Sequence, residues 1–417
     1  MPAFRCRPLR ACLAAALLIA GGACAAADLS APPAQPAAAA ELAVWREQLR
    51  QEALTSGISE QTFDQALGDF QPLARVIELD QRQPEFVDTF WNYLDRRVDE
   101  RRLALGKERL HEHRKLLNKV QSRYGLPPAL LVSFWGLETN YGATTGGFSV
   151  PIALATLAYD HRRSAFFRAE LLNALSILEQ GHVPVADMKG SWAGAMGQMQ
   201  FMPSTFLRYA VDGDDDGHKD IWRSLPDAFH SAANYLHRIG WHAGEIWGRE
   251  VRLPKGFDFE SARLDIKRPV QAWTSLGVRR ADGKALPKSR ISSAIVLPQG
   301  HAGPAFLVYR NFDVIMQWNR SINYALAIGH LADRLNGAPE LKLGRDADNR
   351  RLTREQLIEI QQLLAQFGFD PGELDGVPGL KTRQAIRAYQ QSAGLPADGH
   401  ASAGLLEYLQ KAKPAGV

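Results

Sequence analysis

The chain has 417 residues, 46% of them apolar and 23% charged, which is ordinary globular composition with material for two or three domains. The formal charge is +4. Three of the positive charges, Arg5, Arg7 and Arg10, stand in the first ten residues. The remainder is close to neutral, which argues against nucleic acid as a partner, since such binders carry a basic excess or stripe.

The N-terminus reads as an export signal: a positive n-region, an apolar run from Ala11 to Ala20 that is too short to span a bilayer, then small residues. Residues 1–25 are assigned to it, which predicts a periplasmic protein. Ala23-Cys24-Ala25 and Ala25-Ala26-Ala27 both fit a cleavage site. The alternative is acylation of Cys24, an outer-membrane lipid anchor, although no large aliphatic residue stands three before the cysteine. Cys6, Cys12 and Cys24 are the three cysteines, so the mature chain is expected to rely on core burial rather than disulfides.

Residues 26–40, rich in Ala and Pro, read as a linker. Helical patterning starts near Glu41, with Val44, Trp45, Leu49 and Leu54 at helix-like spacing. Pro127-Pro128 opens a further helix, which runs through Phe134 and Trp135 to Glu138. Positions three, four and seven before Glu138 are Trp135, Phe134 and Leu131, so this carboxyl lies on an apolar stripe. Burial there would raise its pKa and keep the acid protonated, as glycosidic cleavage requires. A carboxylate paired with a neighbouring Arg fits the same pattern. A second cluster, Gly190 to Ser204, interleaves small residues with Met, aromatic residues and the polar Ser191, Gln198 and Gln200. It suits either ligand approach or close helix packing.

Asp212, Asp214 and Asp216, followed by Gly217, occupy positions 1, 3, 5 and 6 of an EF-hand-like loop. Position 12 is Arg223, where such loops carry Glu; closure at Asp227 is the alternative, and a solvated acidic turn is the other reading. Residues 250–312 are broken by Pro and Gly and carry short β-prone runs such as Ala294 to Leu297, which predicts a small β-rich insertion. Helix returns from Asp313 to Leu335. Residues 338–351 are polar and suit a linker. A last helical unit fills 352–412, with an internal echo of Asp375-Gly376 in Asp398-Gly399 and with Thr382 expected to cap a helix.

The segments Gly136-Leu137-Glu138-Thr139-Asn140-Tyr141-Gly142, Gly194-Ala195-Met196-Gly197, Gln200-Phe201-Met202-Pro203-Ser204 and Trp318-Asn319-Arg320-Ser321-Ile322-Asn323-Tyr324 resemble the B-type lytic murein transglycosylases in order and spacing. The resemblance covers roughly Glu41 to Leu335, within a catalytic region assigned to 41–337. It implies a mainly α (α+β) architecture: a lysozyme-like helical core with the inserted β-rich subdomain. It also implies cleavage of peptidoglycan glycan strands between N-acetylmuramic acid and N-acetylglucosamine, leaving 1,6-anhydromuramic ends. Glu138 is then the single catalytic acid/base. Tyr93, Ser191, Gln200, Asn319 and Tyr324 line the site, with Trp318 where a Tyr is common. No catalytic cofactor is implied. The family's acidic loop passes a His carbonyl and ends in Asp, so Asp212, Asp214, Asp216, His218 and Asp227 become the ligands of a structural calcium ion. The unit 352–412 resembles the three-helix peptidoglycan-binding domain of wall hydrolases, through Asp375-Gly376-x-x-Gly379-x-x-Thr382 and Ala385-Ile386-x-x-Tyr389-Gln390. Wall-synthesis or remodelling machinery is a further partner class for an envelope enzyme. The competing functions are a hydrolytic muramidase and a non-catalytic wall-binding protein.

Overall fold

The computed structural model describes residues 36–81, 86–160 and 164–412. The signal segment and Cys6, Cys12 and Cys24 lie outside the described residues. The chain divides into the units Met1–Leu49 and Arg50–Val417. In the first, helix begins at Pro36, inside the stretch read as a linker. Pro in the first turn followed by four Ala residues is a good helix start, and Ala has the highest helix propensity. No described helix is long and apolar enough to cross a membrane.

The second unit is mostly helical and is organised around the helix Pro128–Thr139, whose residues Ala129 to Leu137 are buried on every face. It packs against Ile322–Leu335, Glu100–Glu112 and Arg114–Tyr124. Asn140 and Tyr141 end it in left-handed conformation, at φ 50° and 59°. Tyr141 then folds back on the helix and donates its hydroxyl to the Arg102 carbonyl at 2.9 Å. Gly136 makes room for that ring: a Cβ there would stand 2.7 Å from Tyr141 Cζ. This return is why the helix stops one turn past Trp135.

The β-rich subdomain is a five-stranded antiparallel sheet in the order Arg268–Pro269, Ser292–Val296, Ala305–Val308, Gly248–Arg252, Arg279–Arg280. Ser293 to Val296 and Ala305 to Val308 are buried on both faces, which accounts for continuous apolar runs in place of alternation. Trp273, fully buried, fills the core beneath them and donates to the Ser293 carbonyl at 3.2 Å.

The helices Arg354–Gln366, Leu380–Ser392 and Ala403–Ala412 enclose a separate core of Leu357, Ile360, Ile386 and Leu409. The Asp-Gly echo is a repeated clasp. Gln361 accepts from the Gly376 amide at 2.9 Å and donates to Asp375; Gln390 accepts from the Gly399 amide at 2.8 Å and donates to Asp398. Thr382 corrects the sequence expectation. The cap position is Gly379, and Thr382, buried at the third helical position, donates to the Pro371 carbonyl instead.

Residues 338–351 are non-helical and fastened along the body. Leu343 N–H donates to Glu250, Trp91 Nε1 donates to the Gly344 carbonyl at 2.8 Å, and Gln299 Nε2 donates to the Asp348 carbonyl at 2.9 Å. The Arg345 guanidinium lies 3.8 Å from the centroid of the Trp91 ring. Asp398 accepts from both the His301 amide and its Nδ1, each at 2.7 Å, so the three-helix unit docks on the sheet subdomain.

Candidate active site

Glu138 occupies the last turn of the central helix and is part-buried. Its Oε1 accepts two hydrogen bonds, from Trp318 Nε1 at 2.8 Å and from the Tyr324 hydroxyl at 2.5 Å. Trp318 is the last residue of the helix Arg310–Trp318, and Tyr324 lies in the first turn of Ile322–Leu335. The turn between them is fixed locally. Asn319 Oδ1 accepts from the Ser321 amide at 3.1 Å, and Ser321 Oγ accepts from the Tyr324 amide. Both donors are thereby aimed at one carboxyl oxygen.

Burial pushes the Glu138 carboxyl above its ordinary value, while Tyr324, Trp318 and the positive charge of Arg97 pull the other way without cancelling it. Tyr324 is held far above its usual range by burial and by the neighbouring Glu138 charge, so it stays a donor. Tyr93 is raised by burial and by Glu138, against Arg97, whose guanidinium lies 5.6 Å from the Tyr93 ring centroid. Among the described residues, the groups that shift Glu138 are Tyr324, Trp318 and Arg97, with no second carboxylate. Burial therefore favours the protonated acid, and its conjugate base has two donors waiting for it.

Trp318 is set in an aromatic stack, with ring centroids 4.6 Å from Phe134, 5.2 Å from Tyr235 and 5.5 Å from Phe201. Beyond Tyr235 opens a cleft of ≈ 340 Å³ lined by Ser204, Arg208, Tyr209, Gln317 and Arg320. Aromatic faces beside polar side chains suit sugar rings.

The segment 190–202 is held by side chains more than by regular structure. Ser191 Oγ accepts from the Ala195 amide at 3.0 Å, and Gln200, at φ 51°, donates to the carbonyls of Thr145 and Gly197. Gln198 joins the segment to the central helix: it accepts from Trp135 Nε1 at 2.8 Å and donates to the Trp222 carbonyl at 2.9 Å. Buried Glu170 accepts from the Ser204 amide and hydroxyl, which fixes the start of the helix Pro203–Tyr209.

In the acidic loop, carboxylate oxygens of Asp212, Asp214 and Asp227 lie within 4.8 Å of one another. Asp227 is fully buried and accepts from the amides of Gly213 at 2.7 Å and Asp220 at 2.6 Å. Burial raises its pKa, and the charges of Asp212 and Asp214 raise it further, against those two bonds. Three convergent carboxylates are the donor set of a hard divalent cation. Asp216 departs from the expected ligand set: its exposed carboxylate accepts from the His218 amide at 2.8 Å. Arg223 pairs with Asp187 and Asp220, and Asp227 is the acid brought beside Asp212 and Asp214.

Residues 41–333 match the family model described as a transglycosylase SLT domain, and 353–409 match a putative peptidoglycan binding domain. The chain belongs to the SLT transglycosylase family. It is 48% identical to SltB3 from Pseudomonas aeruginosa, solved in complex with NAG-anhNAM-pentapeptide, with a TM-score of 0.85 over 88% of this chain and 98% of that one. It is 32% identical to membrane-bound lytic murein transglycosylase B of Escherichia coli (strain K12) over 227 residues, 53% of this chain and 60% of the relative. The match therefore spans less than two thirds of that relative. The Escherichia coli lytic transglycosylase Slt35, solved in complex with calcium, is 26% identical with a TM-score of 0.60, covering 70% of this chain and 92% of that one.

Within this SLT-family site, the side chains of Trp318 and Tyr324 touch Glu138 directly, and Tyr93 lies within its field. Trp318, standing where the resemblance leads to a Tyr, donates to Glu138 through its indole Nε1. Ser191, Gln200 and Asn319 make bonds that shape the surrounding turns. Arg97 was missed. Its signal was its spacing of four from Tyr93 on one helix face, which brings the two side chains together.

Proposed function

We propose that the protein is a lytic murein transglycosylase that cleaves the N-acetylmuramic acid–N-acetylglucosamine bond of peptidoglycan and leaves 1,6-anhydromuramic ends. The observation that carries this is a single protonatable carboxyl, Glu138, with two donors on one oxygen and, among the described residues, no partner carboxylate acting on it. Most hydrolytic glycosidases need a second carboxylate, as base or nucleophile. Family membership and the anhydro sugar in the SltB3 complex support the same reading.

Protonated Glu138 gives its proton to the glycosidic oxygen as the bond to the anomeric carbon breaks. The substrate's N-acetyl group can assist that departure. Trp318 and Tyr324 stabilise the carboxylate left behind. The C6 hydroxyl oxygen then bonds to the anomeric carbon and its proton returns to Glu138. The acid is regenerated and water is not consumed.

The remaining assignments are part of the same proposal. Ser191, Gln200 and Asn319 shape the walls against which the sugars rest, with Tyr93 facing the acid. Asp212, Asp214 and Asp227, with the His218 carbonyl, would hold a calcium ion that stabilises the loop after Gln200; the calcium in the Slt35 complex supports this. The chain is exported through residues 1–25, soluble in the periplasm or anchored at Cys24. Residues 41–337 form the catalytic region, and 352–412 hold the enzyme to the wall.

Glu138→Gln keeps the size of the side chain and removes the proton. The purified variant is expected to fold and to release almost no soluble fragments from isolated sacculi. Activity near that of the unmutated enzyme would overturn the assignment.

A further inference from the structure

The helix Phe90–Arg97 ends near the Glu138 carboxyl, and its last turn carries two arginines with different surroundings. Arg96 is exposed and pairs with Asp88. Arg97 is part-buried and makes no ion pair among the described residues, and its Nε is buried without a hydrogen-bond partner. Its guanidinium lies over the Tyr93 ring, 5.6 Å from the centroid. A guanidinium withdrawn from water without a counter-charge costs stability. A helix C-terminus favours a cation, but that place is already filled. Arg102 donates to the carbonyls of Arg96 at 3.3 Å and of Arg97 at 2.6 Å.

The same contacts fix Arg97 relative to Glu138. The Arg102 carbonyl accepts from the Tyr141 hydroxyl at 2.9 Å, and Tyr141 lies in the turn that ends the central helix just after Glu138. Gly106 makes room for that hydroxyl, since a Cβ there would stand 2.5 Å from it. One chain of bonds thus ties the end of the Arg97 helix to the end of the Glu138 helix. The titratable and charged groups facing Glu138 are Tyr93 and Arg97 from Phe90–Arg97 and Tyr324 from Ile322–Leu335. Arg97 is the cation among them, and it draws the Glu138 carboxyl toward its charged form. Arg96 acts on Tyr93 but is not among the groups that shift Glu138.

We propose that Arg97 is a positioning residue for the reaction: held over Tyr93 without a counter-charge of its own, it keeps a positive charge ready for the carboxylate that Glu138 becomes when its proton passes to the glycosidic oxygen. The inference rests on Glu138 being the catalytic acid. It gives the uncompensated cation a use. While Glu138 is protonated, a nearby positive charge gains little from it. As the proton leaves, the two charges attract, so the interaction is stronger in the transition state than in the ground state. When the C6 hydroxyl proton returns to Glu138, that attraction ends and the acid is restored.

The pH profile of kcat/KM on soluble peptidoglycan fragments, measured on the full chain, tests it. Arg97→Gln removes the charge, so the protonated acid persists to higher pH. The alkaline limb should move up by about half a pH unit, and kcat should fall about threefold. Arg97→Met, which keeps an unbranched stem, should do the same and serves if the Gln variant folds poorly; near-ultraviolet circular dichroism checks the packing of each. Arg97→Lys keeps the charge and should return the limb most of the way. Arg96→Gln, one residue earlier on the same helix, should leave the limb in place. A purely structural Arg97 would lower activity and melting temperature at every pH without moving the limb. That result, a limb moved as far by Lys as by Gln, or an equal shift in Arg96→Gln would each overturn the proposal. Retained activity in Glu138→Gln would overturn it together with the catalytic reading. An unmoved limb in an Arg97→Gln enzyme that still makes anhydro ends would overturn this inference alone.

Discussion

Replacing Tyr324 by Phe removes one oxygen from the site and leaves the ring in place. Tyr324 is buried, so the ring keeps its packing against Phe134, 6.3 Å between centroids. The lost hydroxyl donates to Glu138 Oε1 at 2.5 Å. It favours the carboxylate form, so its loss raises the Glu138 pKa further and extends the protonated acid to higher pH. The alkaline limb of the kcat/KM profile should therefore move upward. The intermediate, in which Glu138 is a carboxylate, loses one of its two donors. A hydrogen bond to a charged group contributes about 1.5–3 kcal/mol, so kcat should fall about 10- to 150-fold. The assay is release of soluble fragments from sacculi across the pH range, with near-ultraviolet circular dichroism to confirm packing. An unchanged rate together with an unmoved alkaline limb would refute the role given to the two donors.

Three further expectations follow from named residues. Asp333 is part-buried, accepts from Trp247 Nε1 and is pushed up to about 6 by desolvation. The folded state holds that proton more tightly than the unfolded chain, so stability falls as pH rises through the ordinary carboxyl range to about 6. Asp333→Asn should raise the melting temperature more at pH 8 than at pH 4, and an equal effect at both would contradict this. Calcium should raise the melting temperature of the unmutated protein, by about 2.7 kcal/mol of stability at a hundred times its Kd, and Asp227→Asn should weaken that response; identical melts in chelator and in calcium would leave a solvated turn. Truncation after Gly344 removes the Arg345 stack on Trp91 and the His301–Asp398 contact. The shortened enzyme should melt lower and sediment less with sacculi, while still cleaving small soluble fragments; equal melting and sedimentation would count against both roles of the unit.

Much of this architecture was legible because burial leaves a periodic trace. Leu131, Phe134 and Trp135 placed Glu138 on an apolar face, and the broken run after Gly248 marked the sheet subdomain. The acidic loop was legible from Asp212, Asp214 and Gly217, with closure at Asp227 as one of its readings; what turns Asp227 toward the other two carboxylates is a pair of bonds from the amides of Gly213 and Asp220, which have no signature in sequence. The segment 190–202 was opaque for a similar reason. Gln198 and Gln200 there spend their amides on distant backbone groups rather than on a repeating ladder. The docking of the C-terminal unit was hidden most completely, because its contacts join residues such as Trp91 and Gly344 through polar chain that reads as a tether. Thr382 shows a local limit. A Thr before a helix reads as a cap, yet burial at the third position turned its hydroxyl to Pro371.

Mass spectrometry of peptidoglycan digested by the purified enzyme tests the central claim most directly. Intramolecular attack by the C6 hydroxyl gives muramic ends lighter by one water than hydrolysis does. The account expects 1,6-anhydro ends as the dominant product, abolished in Glu138→Gln. Predominantly reducing ends would show that water attacks, and would contradict a mechanism run by Glu138 alone.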